Sequence, residues 1–164
     1  MTNKVYSIPT NKKIISVVDD EMDISELFRN ALCENMDGVN VVSFNDPISA
    51  LEHFTDNKNS YALVISDLKM TGLNGLELLN KVKELNPKVR TMLITAYDIA
   101  NNPAFENYLK QGIIDSFTEK PIKVNRLRQM VRDEYTLTGR QKESKLTLPL
   151  NLINHLQVYL VLRV

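Results

Sequence analysis

The sequence predicts a doubly wound α/β domain: a five-stranded parallel sheet with helices on both faces. Three observations predict it. Short apolar runs rich in β-branched residues alternate with amphipathic helical patterns, five times over. The runs are nearly continuous rather than alternating, as in strands buried on both faces between helical layers. Five such units in about 125 residues are too few for an eight-unit barrel, so right-handed crossovers give an open sandwich.

Each element has its own signal. Ile14-Ile15-Ser16-Val17-Val18 is the first strand and stops at Asp19-Asp20-Glu21. Ile24, Leu27, Phe28, Ala31 and Leu32 follow at helical spacing. Asp23 with Glu26 has the form of a capping box, and Asp37-Gly38 is the break. The second strand is Val39 to Phe44. Asp46-Pro47 reads as an N-cap with proline at the first helical position. Ala50, Leu51 and Phe54 mark a short helix, and Asp56 to Ser60 a polar loop. The third run, Ala62 to Ile65, ends at Ser66-Asp67. Gly72 and Gly75 flank a loop, and Leu78, Leu79, Val82 and Leu85 give a helix closed by Asn86-Pro87. The fourth run, Val89 to Ile94, ends at Thr95. Phe105, Tyr108 and Leu109 suggest a helix ending at Gly112. The fifth run, Ile114 to Thr118, ends at Glu119-Lys120-Pro121. Val124, Leu127, Met130 and Val131 form a last helical face to about Tyr135.

Composition narrows the class. The 164 residues are 43% apolar and 24% charged, which suits one ordinary domain with an appendage. Twenty cations balance twenty acids, which disfavours a strongly basic nucleic-acid protein and an acidic disordered chain. A single cysteine, Cys33, excludes an intramolecular disulfide and a cysteine-rich metal site. With His53 and His155 as the only histidines, a His-rich metal site is disfavoured too. No apolar run reaches the roughly 18 residues needed to span a bilayer. Met1 to Asn11 is polar and lacks the apolar stretch of a secretory signal. The expected location is cytoplasmic and reducing.

The polar residues at the strand ends point to chemistry. Asp19 and Asp20 follow strand 1, Asp67 follows strand 3, Thr95 follows strand 4 and Lys120 follows strand 5. Open α/β sheets bind ligands at the carboxyl ends of strands, at the topological switch point. Strand order 2-1-3-4-5 puts that point between strands 1 and 3 and leaves strand 2 outside. Singly, each residue has a plain reading: helix N-terminal acids favoured by the macrodipole, a turn aspartate, a strand-end threonine, a surface lysine. Together, three carboxylates repel one another without a cation. Oxygen ligands with no His or Cys point to Mg²⁺ rather than zinc. Mg²⁺ prefers one or two carboxylates plus phosphate oxygens and water, and a lysine and a hydroxyl supply the anion side. The residues therefore describe a Mg²⁺-dependent phosphoryl site in which a carboxylate can be the nucleophile, giving an aspartyl phosphate.

The chain resembles the CheY-like receiver domain of two-component response regulators. The matching pieces are VVDDE at Val17 to Glu21, SDLKMTGLNG at Ser66 to Gly75, ITA at Ile94 to Ala96 and KP at Lys120-Pro121. They cover about residues 12 to 136 in the family's order. The resemblance implies a flavodoxin-like sheet and a phosphorelay role. Asp67 then aligns with the phosphoacceptor. Asp20 aligns with the direct Mg²⁺ ligand, Asp19 with the acid that holds metal-bound water, and the backbone carbonyl of Lys69 with the third protein ligand. Thr95 aligns with the switch hydroxyl, Lys120 with the lysine that pairs with a phosphoryl oxygen, and Phe117 with the switch aromatic. Ala96 is small, as the family requires, and Pro121 sits where the family often has a cis peptide. The implied partner is a sensor histidine kinase or a histidine phosphotransfer protein. Such a domain catalyses only its own phosphorylation and dephosphorylation, and it signals through the surface of helix 4, strand 5 and helix 5. The pattern departs from the family's at Thr71, where proline is common, in one extra residue between Gly112 and Lys120, and at Asn101-Asn102-Pro103. Lys69 and Tyr97 occupy two variable positions that tune phosphoryl lifetime. Two bulky side chains there screen attacking water, so slow self-hydrolysis is expected.

Three domain segments are expected: a polar extension at 1–11, the receiver at 12–136, and a linker with an apolar tail at 137–164. The tail has no recognisable output domain. It holds Arg140, Lys142, Lys145 and Arg163 against Glu143, no footprint for DNA. It is expected to pack on its own domain, to pair with a second copy through itself or the helix 4 face, or to dock a partner. Rival functions are a phosphorylation-independent scaffold, a truncated remnant of a DNA-binding regulator, and a Mg²⁺-dependent phosphatase. The last usually carries a second aspartate two residues after its nucleophile, where this chain has Lys69. Cys33 is expected in or near the core, and His53 at a helix end without a relay role.

Overall fold

The computed structural model describes residues 12–97, 99 and 102–138. The elements run β1 (Lys13–Val18), α1 (Met22–Cys33), β2 (Val39–Phe44), α2 (Pro47–Asn57), β3 (Tyr61–Asp67), α3 (Gly75–Leu85), β4 (Arg90–Thr95), α4 (Pro103–Lys110), β5 (Ser116–Glu119) and α5 (Val124–Leu137). The strands form one parallel sheet in the order β2-β1-β3-β4-β5, as the sequence predicts. The expected extension at 1–11 and the tail beyond Thr138 lie outside the described residues. Leu137, expected in the linker, is instead the last residue of α5.

The apolar runs are continuous because each face of the sheet has its own core. Ile15, Val17, Leu63, Ile65, Met92 and Ile94 pack under α1 and α5, against Phe28, Leu32, Leu127 and Val131. Ile14, Val18, Val64, Leu93 and Phe117 face α2, α3 and α4, against Phe54, Leu79, Val82 and Phe105. Alternate residues of one strand thus serve opposite cores.

Helix starts differ from expectation at α1. Its N-cap is Glu21, with no side-chain cap, and Asp23 lies inside the first turn, so no Asp23–Glu26 box forms. The box is at α3 instead: the Asn74 side chain accepts from Glu77 N, and the Glu77 carboxylate accepts from Asn74 N. Asp46 caps α2 as expected, and Asn102 with Pro103 starts α4. At the other end of α1 there is no basic residue in the last turn. Arg128 of α5 fills that role, donating from Nε to the Ala31 carbonyl at 2.9 Å. Cys33 is exposed, correcting the expected core position: the buried stripe of α1 is Ser25, Phe28, Ala31 and Leu32, and Cys33 falls outside it. His53 lies within α2, its Nδ1 2.7 Å from the Tyr61 hydroxyl.

A buried chain of charges closes the amino-terminal rim of the sheet. Asp115, just before β5, accepts from Lys83 of α3 and, at 2.9 Å, from Arg90 at the start of β4. Its Oδ2 also accepts from Thr91 N at 3.0 Å. Arg90 Nε donates to Glu134 of α5 at 2.6 Å. All four side chains are at most 13% exposed, so the chain ties both helical layers together where water cannot replace it. Removing one partner of a buried pair leaves charge unpaired. Asp115→Ala is therefore expected to cost about 3–5 kcal/mol in denaturant unfolding at neutral pH, and a loss below about 1 kcal/mol would show the chain to be ornamental.

Candidate functional site

Parallel register assembles the site one step at a time. Val18 pairs with Ser66, so the next residues, Asp19 and Asp67, stand level. Asp67 pairs with Ile94, which places Thr95 one step beyond. Thr95 pairs with Glu119, which places Lys120 one step beyond again. Phe44 of β2 also pairs with Val18, but β2 is the edge strand and brings no ionisable side chain to this rim.

At the centre is an ammonium between two carboxylates. Lys120 Nζ lies 2.6 Å from Asp19 Oδ2 and 3.1 Å from Asp67 Oδ1. Asp19 is 2% exposed and Asp67 8%. The second oxygen of each acid is held by a backbone amide: Glu21 N donates to Asp19 Oδ1 at 3.0 Å, and Lys69 N to Asp67 Oδ2 at 2.9 Å. Burial raises the Asp67 pKa above the ordinary carboxylate value, with Asp19 adding to the rise; Lys120 and the Lys69 amide only partly oppose it. Burial disfavours the Lys120 ammonium, but its bonds to Asp19 and Asp67 outweigh this and raise its pKa overall.

The other expected residues surround this centre. Asp20 is exposed on the rim, where its Oδ2 accepts from Thr71 N at 3.2 Å. Thr95 is fully buried, and its Oγ1 accepts from Tyr97 N at 3.1 Å. The Lys120–Pro121 peptide is cis. An open cleft of about 410 Å³ above the acids is lined by Asp20, Asp67, Lys69, Ala96, Tyr97 and Lys120. Lys69 Nζ sits 4.8 Å from the centroid of the exposed Tyr97 ring, and hydrogen bonding to Tyr97 raises its pKa. Phe117 stands apart from the acids, in the opposite core, edge-on to Phe105 with ring centroids 4.9 Å apart. Sequence reading missed the Phe105 partner and the Thr71 amide, because both contacts depend on where loops end rather than on residue type.

The donor set suits Mg²⁺. It consists of carboxylate oxygens, and the buried acids already hold a cation, the Lys120 ammonium. Among the described residues no three acidic, His or Cys side chains close around one point. A Mg²⁺ here would complete its shell with water and phosphoryl oxygens, as Mg²⁺ commonly does. Asp19, Asp20 and Asp67 are the acids that would hold it, with the Lys69 carbonyl that the family resemblance implies. No described helix is long and apolar enough to cross a membrane.

Comparison with known proteins shows the family. The family model for the response regulator receiver domain matches residues 15–132. The transcriptional regulatory protein FixJ of Bradyrhizobium diazoefficiens is 30% identical over 122 residues, 74% of this chain and 56% of FixJ. Sporulation initiation phosphotransferase F of Bacillus subtilis is 27% identical over 74% of this chain and 92% of its own length. The chain spans only 28% of the transcriptional regulatory protein ZraR of Klebsiella oxytoca. Among solved structures, a receiver domain from Clostridium thermocellum matches with a TM-score of 0.67 and 27% identity, over 76% of this chain and 94% of that one. The response regulator TrrA of Thermotoga maritima, solved with Mg²⁺-BeF, matches with a TM-score of 0.62 and 29% identity, over 74% and 98%. Sheet order, strand-end residues and family match converge, and the chain belongs to the response regulator receiver domain family.

Proposed function

We propose that the chain accepts a phosphoryl group on Asp67 and signals through the surface formed by α4, β5 and α5. The observation that carries this is the Lys120 ammonium lodged between the buried carboxylates of Asp19 and Asp67. Two buried acids and a lysine at a strand-end rim cost stability, so they suit a reactive site better than a structural one. The donor is a phosphohistidine on a sensor kinase or phosphotransfer protein, or a small acyl phosphate. A bond forms between an Asp67 oxygen and phosphorus as the bond to the donor's nitrogen or acyl oxygen breaks, and the donor leaves. Asp19, Asp20, Asp67 and the Lys69 carbonyl would hold Mg²⁺, which would supply charge neutralisation to the phosphoryl oxygens. Lys120, already 3.1 Å from Asp67, pairs with a phosphoryl oxygen, and Thr95 offers its hydroxyl. The signal leaves through Phe117, whose ring on Phe105 links β5 to α4, as a shift of population between states.

The decisive experiment is intact-mass spectrometry after incubation with acetyl phosphate and Mg²⁺. One phosphoryl group is expected, absent in Asp67→Asn and absent when the metal is chelated. No mass gain at the earliest times with Mg²⁺ present contradicts the proposal. Lys69 and Tyr97 both line the cleft and contact each other, two bulky side chains that would screen attacking water, so the label is expected to outlast seconds. The double variant Lys69→Ala/Tyr97→Ala is expected to lose it several-fold faster (about threefold or more), and an unchanged decay would remove the pair from the account. The third outcome concerns pH. Because the folded state raises the Asp67 pKa, its ionised form costs stability in full above that raised value. The cost vanishes as pH falls toward the unfolded value of 3.8. Asp67→Asn is therefore expected to melt higher than the wild type at neutral pH, with a gap that narrows on acidification; a constant gap or a lower melting temperature contradicts it.

A further inference from the structure

We infer that Gly75 and Ser66 are positioning residues for Asp67: the peptide following Asp67 is seated on the first residue of α3, and this seat sets phosphoacceptor reactivity. The inference rests on the reading of Asp67 as phosphoacceptor.

The close approach is the first observation. A Cβ on Gly75 would overlap the carbonyl oxygen of Asp67, and it would come within 2.9 Å of that carbonyl carbon and 3.0 Å of Leu68 Cα. All three are backbone atoms, so no side-chain rotation relieves the overlap. Gly75 is not among the glycines with positive φ, so its backbone conformation does not require glycine. Alanine would be preferred on helix propensity. Space for the Asp67 peptide is what requires glycine here.

The second observation is that the seat is bonded on both sides. Gly75 N donates to the Leu68 carbonyl at 2.8 Å. The hydroxyl of Ser66, fully buried, donates to the Asp67 carbonyl at 2.8 Å. Asp67 is the last residue of β3, so the sheet holds its backbone from one side only. The α3 terminus, fixed by its Asn74–Glu77 box, holds the other. The carboxylate is thus aimed by four contacts: Ser66 and Gly75 on the backbone, the Lys69 amide and Lys120 on the side chain. Displacements of about 1 Å at a reacting group can slow a reaction by up to about 100-fold.

The test is the rate of phosphoryl gain from acetyl phosphate with Mg²⁺, as a function of donor concentration. Gly75→Ala and Ser66→Ala are compared with wild type and with Leu79→Ala. Leu79 is fully buried in α3, four residues beyond Gly75, so its truncation costs stability without placing any atom against the Asp67 peptide. Gly75→Ala is expected to lower the maximal rate by at least about tenfold, with the half-saturating donor concentration unchanged. Leu79→Ala, corrected for its folded fraction, is expected to keep the wild-type rate. A Gly75→Ala rate within about twofold of wild type, or a loss matched by Leu79→Ala, overturns the inference. If Gly75→Ala does not fold, Ser66→Ala decides: slowing by about threefold or more supports it, and an unchanged rate overturns it. A wild type that takes no label overturns the phosphoacceptor reading itself, and this inference with it, before any variant is compared.

Discussion

Two carboxylates that bury almost completely at one sheet rim must share a cation, and the rest of the structure is arranged around that need. Lys120 meets it from 101 residues further along the chain than Asp19. It can do so because β4 ends one step beyond β3 and level with β5, so that Lys120 follows one step beyond both. The two cores hold those steps in register, and the amides of Glu21 and Lys69 hold the free oxygens. Burial still leaves Asp67 with a raised pKa, so the ammonium only partly offsets the burial of that carboxylate.

The two rims have opposite tasks. At the amino-terminal rim, Lys83, Arg90, Asp115 and Glu134 pair off and Asp115 is bonded on both oxygens. At the carboxyl-terminal rim, Asp20 faces solvent and the cleft stays open. The first arrangement locks both helical layers to the β4–β5 edge. The second leaves the cleft beside Asp67 open to solvent. Phe117 lies between them on β5, and its ring packs edge-on against Phe105, the buried residue of α4, beside the partly buried Tyr108 and Leu109.

Much of this was legible in the sequence, and for definite reasons. The strand runs are continuous because both faces are buried, so their number and the parallel order could be read from Ile14–Val18, Ala62–Ile65 and Val89–Ile94. Asp19, Asp20, Asp67, Thr95 and Lys120 could be read as one site because parallel strands end on one rim. Contacts that depend on loop length were not legible. Asp23 and Glu26 have the spacing of a capping box, but β1 ends so close to α1 that Glu21 becomes the N-cap and Asp19 turns to its amide. Asn74 and Glu77 have the same spacing and do form the box. The Arg90–Glu134 pair is 44 residues apart in the chain and carries no periodic signal. The close seat of Asp67 on Gly75 is invisible without coordinates, because a glycine at a helix start usually signals only a turn.

The most direct test of the account is a Mg²⁺ titration of the unphosphorylated protein followed by amide resonances. Saturable shifts are predicted at Asp19, Asp20, Asp67, Lys69 and Lys120, with the amides of Arg90, Asp115 and Glu134 unmoved. Absence of saturation, or shifts spread evenly over both rims, would contradict the claim that the shared need of these buried acids for a cation makes this rim the functional one.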